Sequence, residues 1–439
     1  MKRRHNSFIR MLFGIMIVAL GGCAAYGPAP LAISVEPVLA RSAVDLSKPL
    51  TPRALGLIAV IGNPDLKAAR LQAGVADAQV FAAGLLPDPV FNLSFDKLLS
   101  GPDMFNGLGA QLIQDLAAFR DRRVILSGQR AARTQVRLDL AWREWQTAGQ
   151  ARLLGARVVG LERASTLLDR SQAAAEDALA RVLAAAARGD LKADDVDARR
   201  LAAADAADRA RQGERDLGAA RGSLGALLGM PPGARISIVA DPVSATPLDA
   251  GALFDKARVT RLDLKALEAG YQGQEANLRK ATLEAFPSLQ LTLAAARDTA
   301  DNRTVGPAVN FTLPVWNRNS GGIAIARATR EQLRAEYAAR VFAARAEIAD
   351  LVERIAIAGR QRGLIAGTIG PLETLAGRTE AAAARGDVAR AVAEAGRQSV
   401  TDKQITLAAL DQAIAEQTVA LELATGAPLP GLVRIRGAP

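Results

Sequence analysis

The heptapeptide AAAARGD stands at Ala184–Asp190 and again at Ala381–Asp387, 197 residues later. Alanine runs repeat by accident in an alanine-rich chain, whereas a true duplication holds its register elsewhere. Here the register holds. Leu227-Leu228-Gly229 aligns with Ala424-Thr425-Gly426, Gly109 with Gly306, Leu116 with Leu313 and Phe119 with Trp316, all at that spacing. Upstream, Asp65-Leu66-Lys67 meets Asp263-Leu264-Lys265 at 198 and Leu86-Pro87 meets Phe286-Pro287 at 200, so short insertions separate the copies there. The expected organisation is two similar repeats, residues 51–232 and 248–428, with a linker at 233–247 and a tail at 429–439.

Within each repeat the hydrophobic period changes twice. Thr51-Pro52 reads as an N-cap followed by proline at the first helical position, and a longer helix is expected from Pro64 to about Gly84. Phe91, Leu93 and Phe95 then alternate with Asn92 and Ser94, as Leu289, Leu291 and Leu293 do with Gln290 and Thr292, which is the pattern of strands with one apolar face. After polar, Gly/Pro-containing loops (Leu99–Gly107, Arg297–Thr304) come second alternating runs. Leu108, Ala110, Leu112 and Leu116 form one, interrupted by Gln114; Val309, Phe311, Leu313 and Val315 form the other. Each repeat thus supplies one β-hairpin, at about 88–116 and 287–316. Strands of this length cross a bilayer when tilted.

Residues 120–187 contain no proline and carry a heptad seam at Leu154, Leu161, Leu168, Ala175 and Val182, so they are expected to form one helix roughly 100 Å long. It stops at Arg188-Gly189-Asp190, where glycine suits a helix end, and a return helix should run from Leu191 to Leu228. The second repeat predicts the same pair, from Gly322 to Ala384 and on to Thr425, with Pro371 inside the long helix. AAAARGD is then the tip of each of two helical hairpins, and Arg-Gly-Asp as an adhesion motif is a chance match. The economical packing sets each long helix against two shorter ones placed end to end.

The N-terminus carries Lys2, Arg3, Arg4 and Arg10, then an apolar run from Met11 to Leu20, then Gly21-Gly22-Cys23. That is an export signal, residues 1–22, too short to span a membrane. Removing it takes four cations and no acid, so the formal charge of +10 falls to +6. No basic stripe interleaved with aromatics remains, which argues against nucleic acid as a partner. The only histidine, His5, leaves with the signal, and Cys23 is the only cysteine. Ser-His-Asp and Cys-His catalysis and the usual zinc ligand sets are thereby excluded, no cofactor is implied, and an enzyme is not expected. Met104 and Met230 alone do not make a soft-metal site.

Four strands facing lipid cannot close a barrel, and an open edge in hydrocarbon leaves backbone groups unpaired. Three copies would supply twelve strands, an even number within the range of outer-membrane barrels. At this point the sequence resembles the TolC-like outer-membrane efflux proteins along nearly its whole mature length. The carrying stretches are Asn63-Pro64-Asp65-Leu66-Lys67, Leu85-Leu86-Pro87, Phe286-Pro287, Leu313-Pro314-Val315-Trp316-Asn317-Arg318-Asn319, Leu227-Leu228-Gly229 and the tip from Arg188-Gly189-Asp190 through Asp195-Val196. The resemblance implies a mainly α fold with a small β part. Long antiparallel α-helical hairpins form an α-barrel tunnel in a homotrimer, and four transmembrane β-strands per chain enter a shared 12-stranded β-barrel. It implies a Gram-negative outer-membrane duct of a tripartite efflux or secretion system, with a periplasmic adaptor and an inner-membrane pump as partners.

Leu20-Gly21-Gly22-Cys23 resembles a lipobox, so Cys23 is the expected lipidation site, residues 23–50 a lipidated linker, and Ala24 favours the outer membrane. The resemblance makes Arg188, Gly189, Asp190, Arg385, Gly386 and Asp387 the adaptor-docking tips, and Pro371 and Asp195 the hinge and gate candidates. Each keeps a plainer reading. Arg188 and Arg385 suit a helix C-terminus, Asp195 a first-turn carboxylate, and Pro371 a fixed kink. LPVWNRN and Pro371 are most similar to the branch serving heavy-metal cation exporters, drugs and polypeptides being the other cargo classes, whereas Ala391-Val392 departs from the Asp-Val pair common at the second tip. A periplasmic coiled-coil spacer would explain the helices and the lipid, but not two amphipathic hairpins at matching places. Cys23→Ser is predicted to abolish incorporation of labelled palmitate in growing cells.

Overall fold

The computed structural model describes residues 48–231, 233–240 and 248–428, with 27, 29 and 31. The export signal, Cys23, most of the 23–50 linker and the tail at 429–439 lie outside the described residues. The chain divides into Met1–Pro37 and Val38–Pro439, and every element below belongs to the second unit.

The element order is the same in both halves: two short helices, two strands, one very long helix and its return. The first half contains α1 (Pro52–Gly62), α2 (Pro64–Gly84), β1 (Val90–Asp96), β2 (Gly107–Asp115), α3 (Ala117–Ala187) and α4 (Ala193–Leu227). The second contains α5 (Ala250–Thr260), α6 (Leu262–Leu283), β3 (Leu289–Arg297), β4 (Arg303–Phe311), α7 (Ser320–Arg385) and α8 (Arg390–Thr425). The expected long hairpins are present, and α3, with 71 residues, spans about 107 Å at 1.5 Å per residue. Caps set the entries. Thr51 accepts from the Ala54 amide, and Asn63 Oδ1 accepts from Asp65 and Leu66, with Pro52 and Pro64 at the first helical positions.

Two apolar clusters hold these helices, and their members are counterparts. Leu55, Ala59, Ala151, Val158 and Leu224 join α1, α3 and α4; Leu253, Ala257, Ile348, Ile355 and Leu421, spaced from them by 197 or 198 residues, join α5, α7 and α8. Each return helix ends at a left-handed glycine beside the junction of the two short helices. Gly229 has φ +67°, and a Cβ there would lie 2.6 Å from the Gly62 carbonyl oxygen; Gly426 has φ +66°, with the Arg261 Cα 3.1 Å from a Cβ. Both conformation and space demand glycine there.

The junction itself is solved by different chemistry in the two halves. In the first, Asn63 Nδ2 donates to the Leu227 carbonyl at 3.4 Å. In the second, Arg261 stands at the equivalent place and donates to the Ala424 carbonyl at 2.9 Å. Burying a guanidinium is costly unless it is paired, and Arg261 is paired. It grips Asp263 through two hydrogen bonds of 3.0 and 2.8 Å and lies 5.0 Å from the Trp142 ring centroid, with the Arg261 and Asp263 side chains only 7 % and 5 % exposed.

The expected packing of α3 against α2 and α4 is present, and α3 also packs against α6 and α8 of the other half. That second seam is polar and regular. Going down α3 and up α8, Arg152 pairs with Glu422 at 2.6 Å, Arg157 with Glu416 at 3.0 Å, Ser171 meets Gln398, and Arg181 pairs with Glu394 at 2.8 Å. Its hydrogen bond to Glu416 raises the Arg157 guanidinium above its ordinary pKa. Between these ties the helices approach closely: a Cβ at Gly149 would strike Leu423, and one at Gly160 would lie 2.5 Å from the Gln412 side chain. Near the tips Glu394 also meets Arg199 of α4 at 3.5 Å, so one carboxylate joins three helices.

The four strands form one antiparallel sheet in the order β1-β2-β3-β4, so the two hairpins pair with each other through β2 and β3. One expectation is corrected. The last strand was expected through Leu313 and Val315 after a loop reaching Thr304, but β4 occupies Arg303–Phe311. Asp298 closes the preceding loop early, accepting from Ala300 and Asn302 amides, while Pro314 lacks the amide hydrogen that would extend the ladder. Gly306-Pro307 reads as a turn in sequence, yet Pro307 continues β4, in register opposite Leu293.

Leu224→Ala, at a fully packed position of the first cluster, is predicted to lower stability by about 2–5 kcal/mol, read in thermal melts of the purified protein. Glu394→Ala removes one carboxylate from two partly exposed arginines and should cost only about 1 kcal/mol; faster amide hydrogen exchange confined to the tip-proximal ends of α3, α4 and α8 is its expected signature.

Candidate functional site

The two faces of the sheet are chemically opposite. Register places Phe91 beside Leu112 and Leu293, Leu93 beside Ala110 and Ala295, and Leu291 beside Val309, so one face is apolar across all four strands. That face is exposed in the single chain; Phe95, Leu93, Leu293, Val305 and Phe311 all keep more than half of their surface. A contiguous apolar surface of this kind marks contact with another protein or a membrane. The other face carries Asn92, Ser94, Gln111, Gln290 and Asn310 among glycines and alanines, with Val90 and Ile113 paired at its helix-proximal end and Asn310 Nδ2 donating to Thr292 Oγ1 at 3.1 Å.

Gln114 interrupts the apolar face, and the structure shows how it is accommodated: its amide donates to the Pro87 carbonyl at 3.4 Å, at the end of the sheet nearest the helices. Around that end stand Trp316, 96 % exposed, with Phe119 and Phe286. Amphipathic and aromatic side chains at the margin of an apolar band suit a membrane–water boundary. Among the described residues no helix is long and apolar enough to cross a membrane.

At the far end of the helices the two AAAARGD segments fold alike. The Gly189 amide bonds to the Ala186 carbonyl and that of Asp190 to Ala185; the Gly386 amide bonds to Ala383 and that of Asp387 to Ala382. This is the Schellman arrangement, in which a left-handed glycine lets the chain turn back on the last helical carbonyls. Gly189 has φ +83° and Gly386 φ +81°, and both would have open space around a Cβ. Arg188 Nε then donates to Asp190 at 3.1 Å, and Arg385 Nε to Asp387 at 2.9 Å, both pairs exposed. Five of the seven residues are thereby used: the two middle alanine carbonyls accept, glycine turns, and arginine and aspartate clip the turn.

Asp195 lies in the first turn of α4, one residue after Asp194, on an acid-favouring helix start. Pro371 lies inside α7, which continues through it; the proline leaves the Gly367 carbonyl without its helical donor. Asp195 follows the first tip by five residues at the start of α4, whereas Pro371 lies in α7, fifteen residues before Gly386. Among the described residues no group of three or more Cys, His, Asp or Glu side chains is placed to hold a metal ion. The α3–α8 polar seam leaves no local signal in the sequence because its partners lie hundreds of residues apart, and Arg261 and Asp263, only two residues apart, read there as ordinary surface charges.

Residues 253–427 match the family described as outer membrane efflux protein. No curated protein matches the chain in sequence. Among solved structures, CusC, described for conformational changes accompanying folding and transmembrane channel formation, aligns with a TM-score of 0.71 at 17% identity over 92% of this chain and 99% of its own. The CmeC outer membrane channel of Campylobacter jejuni aligns with a TM-score of 0.73 at 14% identity, over 92% and 94% of the two chains. The open state of the Neisseria gonorrhoeae MtrE outer membrane channel aligns with a TM-score of 0.70 at 17% identity, over 86% and 89%. The second half of the chain therefore matches the outer membrane efflux protein family and, along most of its length, the chain has the fold of the TolC-like outer-membrane channels.

Proposed function

We propose that this protein is the exit duct of a tripartite efflux system. Three copies close a twelve-stranded barrel in the outer membrane, and their helices continue it as a tunnel through the periplasm. The observation that carries this is the exposed apolar face of a four-stranded sheet whose other face is polar and small. β2 and β3, nine residues each, have the length of a tilted transmembrane strand. Among the described residues of one chain β1 and β4 each have a single neighbour, and strands in hydrocarbon require pairing on both sides, so further copies are needed.

In this reading residues 1–22 direct export, Cys23 anchors the chain by lipid, the 51–232 and 248–428 repeats build the barrel and tunnel, and the tips meet a periplasmic adaptor coupled to an inner-membrane pump. Arg188, Gly189, Asp190, Arg385, Gly386 and Asp387 form the docking surface there. Pro371, whose missing amide loosens α7 before its tip, serves as hinge, and Asp195 lines the tip region as the gate candidate. A heavy-metal cation or a drug is the cargo class, and the duct conducts it without a ligand set of its own.

Purified protein added to planar bilayers is predicted to give discrete conductance steps; persistent failure to insert, with rod-like soluble particles instead, would support the periplasmic spacer. Leu293→Arg, in the middle of the apolar face, should cost about 2–4 kcal/mol of membrane stability and largely abolish insertion. Gly386→Ala places a side chain in a left-handed conformation at about 1 kcal/mol, with weakened adaptor capture and unchanged conductance as the expected pair of results.

A further inference from the structure

At the loop end of the sheet the charges separate by face. Following the pleat, Phe91, Leu93 and Phe95 lead to Lys97, Leu293 and Ala295 lead to Arg297, and Arg303 opens β4 directly opposite Arg297 in the register. Three of the four strands thus place a cation at the edge of the apolar face. The polar face ends at the same level in Asp96 and Asp298, and Asp298 is consumed by its own turn.

The cationic edge is held in position. Arg297 lies 4.4 Å from the Phe105 ring centroid and 2.7 Å from Asp301, and Asp301 is also 3.7 Å from Arg303. One carboxylate therefore faces two guanidiniums. Asp301 adopts φ +69°, a conformation costly for most side chains but tolerated by Asp, which aims it between the two arginines. The other loop braces this one: Phe105 donates its amide to the Thr299 carbonyl at 3.3 Å, and Thr299 Oγ1 meets Asp103 at 2.5 Å. Arg303 remains 68 % exposed and Lys97 is exposed.

We infer that Lys97, Arg297 and Arg303 form an anion-binding rim for the phosphate groups of the phosphorylated glycolipid in the outer leaflet. This rests on the barrel reading above, which sets the apolar face against lipid and the loops outward. Leu289 to Arg297 is eight residue steps along β3, about 20 Å across the membrane at the usual tilt. With the aromatic residues beyond Leu289 completing the apolar band, the cations stand where hydrocarbon gives way to headgroups. Guanidinium suits phosphate through paired hydrogen bonds, and each basic side chain near an anionic surface adds attraction. Facing the lumen, the same cations would instead repel cationic cargo; the pleat points them the other way.

The test uses the full-length protein extracted from outer membranes, with retained lipid read by native mass spectrometry. Wild type is expected to hold phosphorylated glycolipid, and K97Q/R303Q, which leaves the braced Arg297–Asp301 pair intact, to hold about tenfold less. Enzymatic removal of the glycolipid phosphates should reduce wild-type retention to the level of the variant. Equal retention by wild type and variant, or indifference to the phosphates, would overturn the rim. Bilayer conductance separates the two ideas. A variant that still conducts but has lost lipid supports the rim, wild type that conducts with no phosphate preference sinks the rim alone, and wild type that never conducts sinks the duct.

Discussion

Backbone pairing at the sheet edges is the constraint from which the rest follows. Every amide in hydrocarbon needs a partner, yet a sheet of order β1-β2-β3-β4 exposes its apolar face and offers two edges. The chain has no apolar helix to take over the spanning role among its described residues. In the proposed duct, association through those edges removes both problems together, burying backbone groups in new ladders while leaving the apolar face for lipid. The polar face of small residues then turns inward, where water fills the space that bulky side chains would occupy.

The helices carry the consequence of that association away from the membrane. Each strand pair feeds a helix long enough to outreach any ordinary domain core, and such a helix is stable only along a continuous partner. Inside one chain that partner is partly apolar, at the two duplicated clusters, and partly polar, along the α3–α8 seam. The apolar clusters sit at the helix junctions and fix the geometry there. The arginine–carboxylate ties run toward the tips, where each contributes modestly, so the tip ends are held more weakly than the junctions. A structure that is firm at its waist and lightly tied at its far end is suited to being opened from that end.

Much of this was legible because duplication doubled every signal. The helix ends at Gly189 and Gly386 were readable from glycine placement alone, and the heptapeptide that first revealed the repeat is a helix-stop closed by its alanine carbonyls, its glycine and an arginine–aspartate clip. The strands were legible where phenylalanine and leucine alternate with polar residues. β4 was misplaced because Gly306-Pro307 carries a local turn signal that pairing with β3 overrides. Arg261 was illegible for another reason. At its counterpart the first half has Asn63, a recognisable cap, whereas an arginine buried against Asp263 and Trp142 looks in sequence like any surface cation. The seam between Arg152, Arg157, Arg181 and their acids is likewise a property of two helices being antiparallel neighbours, which only the fold supplies.

The central claim is that the sheet becomes part of a closed barrel only when copies of the chain assemble. The most direct measurement is cryo-electron microscopy of the detergent-extracted particle. The account predicts three-fold symmetry, a micelle collar around a short β-barrel, and a long helical tunnel emerging from one side. A monomer, a particle without a collar, or a collar that surrounds the helices in place of the sheet would contradict it.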